Sequence, residues 1–237
     1  MMKKILFTFL TVCLALTVQA QDMTLEEVLE NHFEVINQEK RSDINTLVYE
    51  GTMTQGIEIP VKLIIKRPGM VRMEGSVQGK VFVQAYDGND GFMIMPNAAA
   101  PQDLSDEQKE NMKDKASVDS ELKTAQDKEF DMELMGTEDF EGSDVYLVKV
   151  TKDNGDATTY YIDAENYVIL KARSKTTVQG QEVVGETYYS NYKEVDGMIF
   201  PHSFDYKNAE GQTMNQIMIE TVTLDSEVSD EQFARPE

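Results

Sequence analysis

The sequence predicts a mainly β protein with helical cover (α+β): an antiparallel sheet of about eleven strands whose apolar face is covered by helices. Three observations carry this. From Asp144 to Thr223, strand-like runs follow one another between turn clusters such as Lys152-Asp-Asn-Gly-Asp156 and Asn208-Ala-Glu-Gly211. Gly, Asn and Asp supply the positive φ of tight hairpins. Within the runs side chains alternate: Tyr146, Val148 and Val150 share one face, and Glu220 faces away from Ile217 and Ile219. One polar segment, residues 97–128, then interrupts the strands with helical spacing. The sheet is therefore apolar on one side and wet on the other, and something has to cover the apolar side.

At the N-terminus, Met1-Met-Lys-Lys4 is basic, residues 5–18 are apolar, and Val18-Gln-Ala20 is a small-residue cleavage site. That is the pattern of a Sec signal peptide cleaved after Ala20, and the run is too short for a typical membrane span. The single cysteine, Cys13, lies inside this run. Residues 21–237 then fold on their core alone, as one domain in which 97–128 is a helical insert. The formal charge of −21 becomes −23 once Lys3 and Lys4 are removed. Such a chain is repelled by nucleic acid and by anionic lipid, which excludes nucleic-acid partners and argues against stable membrane insertion.

Thr24-Leu-Glu-Glu27 reads as a capping box, and Leu25, Val28, Leu29, Phe33 and Ile36 continue it as an amphipathic helix to about Gln38. His32 stands at the edge of the apolar stripe and reads as a space-filling residue of the helix surface. From Asn45 the period becomes two, with strands expected over 46–54, 58–67, 70–76, 80–86 and 91–95. Charges set the expected parity. Lys62 and Lys66 turn outward and leave Val61, Leu63 and Ile65 inside; Arg72 and Glu74 do the same for Val71 and Met73. Lys80 and Gln84 are read likewise, placing Val81, Val83 and Ala85 inside. Within the insert, helices are expected from Pro101 or Ser105 to Ala116 and from Asp119 or Ser120 to Lys128. Strands resume over 130–136, 145–151, 158–162, 167–175, 181–192, 198–206 and 212–223.

Catalytic and cofactor signatures are sparse. His32 and His202 sit in unlike contexts, and no nucleophile elbow, H-E-x-x-H, P-loop or dinucleotide fingerprint occurs. Asp87-Gly-Asn-Asp-Gly91 resembles a calcium loop, but its glycine is one position early and Ala98 stands where the bidentate Glu belongs, so it reads as a hairpin turn. No enzyme activity, cofactor or metal is expected. Methionine is plentiful in the strands (Met53, Met70, Met73, Met93, Met95, Met198, Met214 and Met218), and as a group these suggest a malleable apolar cavity.

In order along the chain come Lys66-Arg-Pro-Gly-Met-Val-Arg-Met-Glu74, Tyr86-Asp-Gly-Asn-Asp-Gly-Phe-Met-Ile-Met-Pro96, Tyr160-Tyr-Ile-Asp163 and Tyr188-Tyr-Ser-Asn-Tyr-Lys-Glu-Val-Asp-Gly-Met-Ile-Phe-Pro201. With the leader and the capped helix, this succession resembles the LolA-like periplasmic carriers that sort outer membrane lipoproteins, in their Bacteroidetes-type branch. The resemblance implies an unclosed antiparallel β-barrel, a half-barrel with helices as a lid over its apolar hollow, holding lipoprotein acyl chains or other lipid in the periplasm between an inner-membrane donor and an outer-membrane acceptor. It implies a monomer. The cavity would be lined by Leu63, Ile65, Met73, Val81, Val83, Phe92 and Ile94. Arg67 matches the family's lid-holding arginine, and Val71 replaces the aromatic of that segment. The same fold also serves envelope-sensing modules that bind lipid or a membrane regulator, and this alternative stays open. A hydrolase using a carboxylate pair is the third reading.

Overall fold

A computed structural model describes residues 23–98, 100–178 and 181–236; the expected signal peptide lies outside them. Two meanders account for most of the chain. The first runs through β1 (Thr46–Thr54), β2 (Glu58–Lys66), β3 (Met70–Val77), β4 (Lys80–Tyr86), β5 (Gly91–Ile94) and the two-residue β6 (Gln102–Asp103). The second is β7 (Asp131–Phe140), β8 (Ser143–Thr151), β9 (Ala157–Asp163), β10 (Ile169–Val178) and β11 (Gln181–Ser190). After a small hairpin of β12 (Lys193–Val195) and β13 (Met198–Phe200) come β14 (Ser203–Asn208) and β15 (Thr213–Leu224). β11 pairs with β14, β14 with β15, and β15 with β1, so the last strand stitches the two meanders into one antiparallel sheet of 13 strands. β6 and β7 are its edges, and the sheet does not close on itself.

More strands form than expected, for local reasons. The run expected over 198–206 breaks at Pro201, which has no N–H to give a ladder and so separates β13 from β14. The run over 181–192 ends at Ser190, ahead of Asn191 at φ 54°. Gly51 makes the seam possible. The β1–β15 register shifts between Glu50 and Gly51, and a Cβ on Gly51 would lie 2.1 Å from the Met218 carbonyl oxygen.

Four helices and the β12–β13 hairpin lie over the inner face. α1 (Leu25–Ile36) starts at the expected capping box: the Glu27 N–H donates to Thr24 Oγ1 at 3.2 Å and the Thr24 N–H to Glu27 Oε2 at 2.8 Å. α2 (Gln38–Ser42) follows without a loop because Asn37, at φ 55°, closes the first helix and caps the second. α3 (Asp106–Lys115) and α4 (Glu121–Asp127) form the insert, each begun by a serine cap. Val28 and Leu29 of α1 and Leu122 and Ala125 of α4 pack with Val148, Tyr160 and Ile162 of the second meander. Met112, Val118, Met198 and Phe200 pack instead with Leu47, Ile65 and Val71 of the first.

The chain after β15 crosses the opposite, outer face. Asp225 accepts from the Asn45 N–H at 2.7 Å, Lys66 Nζ donates to the Val228 carbonyl at 2.7 Å, and Arg72 Nη1 to that of Gln232 at 2.8 Å. Phe233, 1% exposed, seats against Val48 and Ile64. This strap had no periodic signature and was not expected.

Candidate functional site

A cavity of about 350 Å³ lies between the sheet and the helices. Cross-strand register explains its apolar floor, because directly opposed residues share a face. Tyr49 opposes Leu63, which opposes Met73; Leu47 opposes Ile65, which opposes Val71. All six line the cavity, with Phe204, Tyr206, Ile217 and Ile219 completing the floor from β14 and β15. Phe82 reaches in across Gly75, where a Cβ would meet its ring at 2.5 Å. Overhead, Met112, Asp114, Lys115, Asp119, Glu121 and Arg41 form a mixed roof.

The sequence-expected residues divide cleanly. Leu63, Ile65, Met73 and Val71 are brought together on this floor. Val81, Val83, Phe92 and Ile94 are not, because Gln84 opposes the inward Met73 and Phe82 opposes the inward Gly75, which turns the alternate residues of β4 to the outer face. Phe92 opposes Ala85 and Ile94 opposes Val83, so β5 follows the same parity. Val83, Ala85, Phe92 and Ile94 make their own small outer cluster, and Val81 is 53% exposed. Gln84 is polar yet faces inward, opposite to the parity expected from its polarity. Of the methionines, Met53 and Met73 line the cavity, joined by Met112 from α3, whereas Met95, Met214 and Met218 are exposed.

Arg67 sits beside the cavity at the end of β2. Its Nε donates to the Ile44 carbonyl at 2.8 Å and its Nη2 to Asp119 Oδ2 at 2.7 Å. Asp119 lies in the α3–α4 joint, and its other oxygen accepts from Gln38 Nε2 at 2.8 Å and Ser42 Oγ at 2.9 Å of α2. Gln38 in turn accepts from the Ser120 N–H at 3.1 Å, and Arg41 Nε donates to the Val118 carbonyl at 2.6 Å while its guanidinium lies 4.7 Å over the Phe200 ring. Residues 118–120 are thus fastened both to the sheet and to α2. Gln38, Arg41 and Asp119 were not singled out from sequence, since their partners are far along the chain and no local pattern marks them.

Burial first, and then the Glu121 carboxylate, pushes the phenol of Tyr206 up to about 12. Tyr189 is raised by the same two causes in the same order, and its hydroxyl lies 3.5 Å from Glu121 Oε1. These phenols are neutral donors at physiological pH. His32 is not on the helix surface as expected: it is 2% exposed, with Nδ1 donating to the Tyr167 carbonyl at 2.7 Å and Nε2 unpartnered among the described residues. Burial lowers its pKa. Asp87 caps its own turn, accepting from the N–H groups of Asn89 and Asp90 at 2.9 and 2.8 Å. Among the described residues no helix is long and apolar enough to cross a membrane.

An open antiparallel sheet lidded by an inserted helical pair is the architecture of the LolA-like proteins. Solved structures of this kind include a LolA superfamily protein from Nitrosomonas europaea, 15% identical, with a TM-score of 0.61 over 90% of this chain and 98% of that one. A DUF1329 family protein from Desulfovibrio piger is 15% identical, with a TM-score of 0.61 over 87% of this chain and 97% of that one. A domain described as outer membrane lipoprotein-sorting, from Vibrio parahaemolyticus, is 11% identical, with a TM-score of 0.58 over 87% and 97%. A family model described as an uncharacterized protein matches residues 70–237. The chain belongs to the family of that model, and its fold is LolA-like. No curated protein matches the sequence.

Proposed function

We propose that the protein is a non-enzymatic periplasmic carrier that holds an acyl chain of a lipoprotein, or a similar apolar cargo, and carries it from an inner-membrane donor toward an outer-membrane acceptor. It works as a monomeric single domain, exported by a cleaved leader. The observation that carries the reading is the cavity with its apolar floor, roofed by helices that a polar latch also ties to the sheet. Its volume of about 350 Å³ stands at the lower end of the ~300–1,000 Å³ usual for small-ligand sites. That suits one chain, not a bundle, in the closed state. Burying a sixteen-carbon chain at about 0.8 kcal/mol per CH₂ contributes on the order of 10 kcal/mol before ordering costs. Affinity of that size would trap the cargo, so release requires the roof to move, and Arg67 with Asp119 is the latch that resists it.

Native mass spectrometry of the protein purified from its own envelope is the direct test. Co-purifying lipid or lipoprotein is expected, together with uptake of a fluorescent fatty acid by the stripped protein. Neither lipid nor uptake would remove the carrier reading.

A further inference from the structure

The last residue of α3, the α3–α4 joint and α4 bring Lys115, Ser117 and Thr124 to the roof of the cavity. Ser117 Oγ and Thr124 Oγ1 lie 2.8 Å apart. One hydroxyl hydrogen makes that bond, which leaves the other free to donate to a further acceptor. Lys115 is exposed, yet among the described residues its ammonium has neither an ion pair nor a hydrogen bond.

Other lysines of the same helix are engaged outside the cavity. Lys109 and Lys113 donate to Asp90 and Glu110 at 2.8 and 2.7 Å, and those bonds push their pKa values up. Burial instead pulls that of Lys115 down, against the nearby Asp114. An ammonium that is exposed and still desolvated shows its surface to an enclosed hollow, not to bulk water. The other charges of the lining are committed. Arg41 is held by Val118 and Phe200, Asp119 by Arg67, and Lys62 by Glu50 at 2.9 Å. Asp114 accepts from Lys152 at 2.5 Å and from Lys128 at 3.4 Å. Glu121 acts on the phenols of Tyr189 and Tyr206, whereas the carboxylate that Lys115 feels is Asp114.

We infer that Lys115, Ser117 and Thr124 bind the anionic head group of a free single-chain amphiphile, a carboxylate or a phosphate, whose tail lies along the apolar floor. The inference rests on the carrier reading and narrows its cargo, because an acyl chain attached to a protein has spent its carboxyl in the linkage and brings no charge. Lys115 supplies the positive charge and the Ser117–Thr124 pair a second donor, as a head group with two or more acceptor oxygens requires. A chain of formal charge −21 repels an anion over most of its surface. Holding one therefore needs a cation that no carboxylate has already neutralised, and Lys115 is such a cation inside the hollow. Leu63, Met73 and Ile217 give the tail an apolar bed, and the volume of about 350 Å³ sets the limit at one tail.

The test is displacement of a neutral fluorescent probe, phenylnaphthylamine, from the stripped protein by dodecanoate, dodecyl phosphate and dodecanol. At least one of the two anions is expected to displace it at a concentration about tenfold or more below that of the alcohol, equivalent to roughly 1.4 kcal/mol, although the alcohol is the more apolar. The stronger anion identifies the head group as carboxylate or phosphate. Lys115→Met should weaken that anion about tenfold and leave the alcohol, the probe and the melting temperature unchanged. Lys115→Gln should repeat the loss, and Lys115→Arg should keep the preference. Equal displacement by anions and alcohol, with the probe bound, overturns the head-group site and leaves the carrier reading standing. An anion held as tightly by Lys115→Met and Lys115→Gln as by the native protein overturns it too. If neither the probe nor any amphiphile binds, the carrier reading falls and this proposal falls with it.

Discussion

Arg67 and Asp119 meet at 2.7 Å with side chains 34% and 12% exposed, so their pairing is screened on one side only. Replacing Arg67 with Ala leaves Asp119 with its two α2 donors and removes the polar tie between the insert and the end of β2, while the apolar packing of α3 and α4 remains. A loss of about 1–3 kcal/mol from closure is expected, seen as faster hydrogen exchange over α3 and α4 with the sheet unaltered. His32 sets an acid limit in the same cover. Burial holds its pKa below the free value, helped by Arg41 and opposed by the Tyr167 hydrogen bond and Glu121. The folded state therefore takes up its proton at lower pH than the unfolded one, whose value is about 6.5. Stability is complete above that value and is lost as pH falls from it toward the depressed folded pKa. His32→Leu should flatten this part of a melting-temperature profile, at the cost of the Tyr167 bond; an unchanged slope would refute the assignment.

Among the elements, the outer strap and the seam are the parts whose removal separates packing from function. Phe233→Ala opens a buried site between Val48 and Ile64 and should cost about 3 kcal/mol, read by denaturant unfolding, while leaving fatty-acid uptake intact because the strap is on the far side of the sheet. Gly51→Ala should cost about 1–3 kcal/mol by forcing the Met218 carbonyl away and loosening β15 from β1. The strands and the first helix were legible because alternation and the Thr24 capping box are local patterns. The parity of β4 was not, because Gln84 is a polar residue on an inner face, and only its pairing with Met73 reveals that. Nor was the latch, whose members Gln38, Arg67 and Asp119 are joined by contacts 52 and 81 residues apart in sequence. Four of the nine residues expected at the site fall outside it for the parity reason alone.

At the scale of the whole molecule, a charge of −21 sits on a sheet that folds around a hollow. Self-repulsion works against the compact state. Raising ionic strength from about 0.01 to 0.15 M shortens the screening length from roughly 30 to 8 Å, so the melting temperature should rise by a few degrees before any ligand is added. A cargo held as proposed would add a separate increment that grows with its concentration, as binding to the folded state alone requires. A melting temperature insensitive to salt would show that the acids are neutralised locally, by pairs such as Lys171 with Glu186 at 2.8 Å, and not by the solution.

The seam strand has a consequence for biosynthesis. β1 leaves the ribosome long before β15, its neighbour in the finished sheet, and the first meander must wait with one flank bare until nearly all the chain has been made. Such late, distant pairing is slow and leaves an unprotected edge open to mispairing. The chain should therefore mature only after its synthesis is almost complete, and truncations within β15 should give protease-sensitive, chaperone-dependent species, however well each half is made.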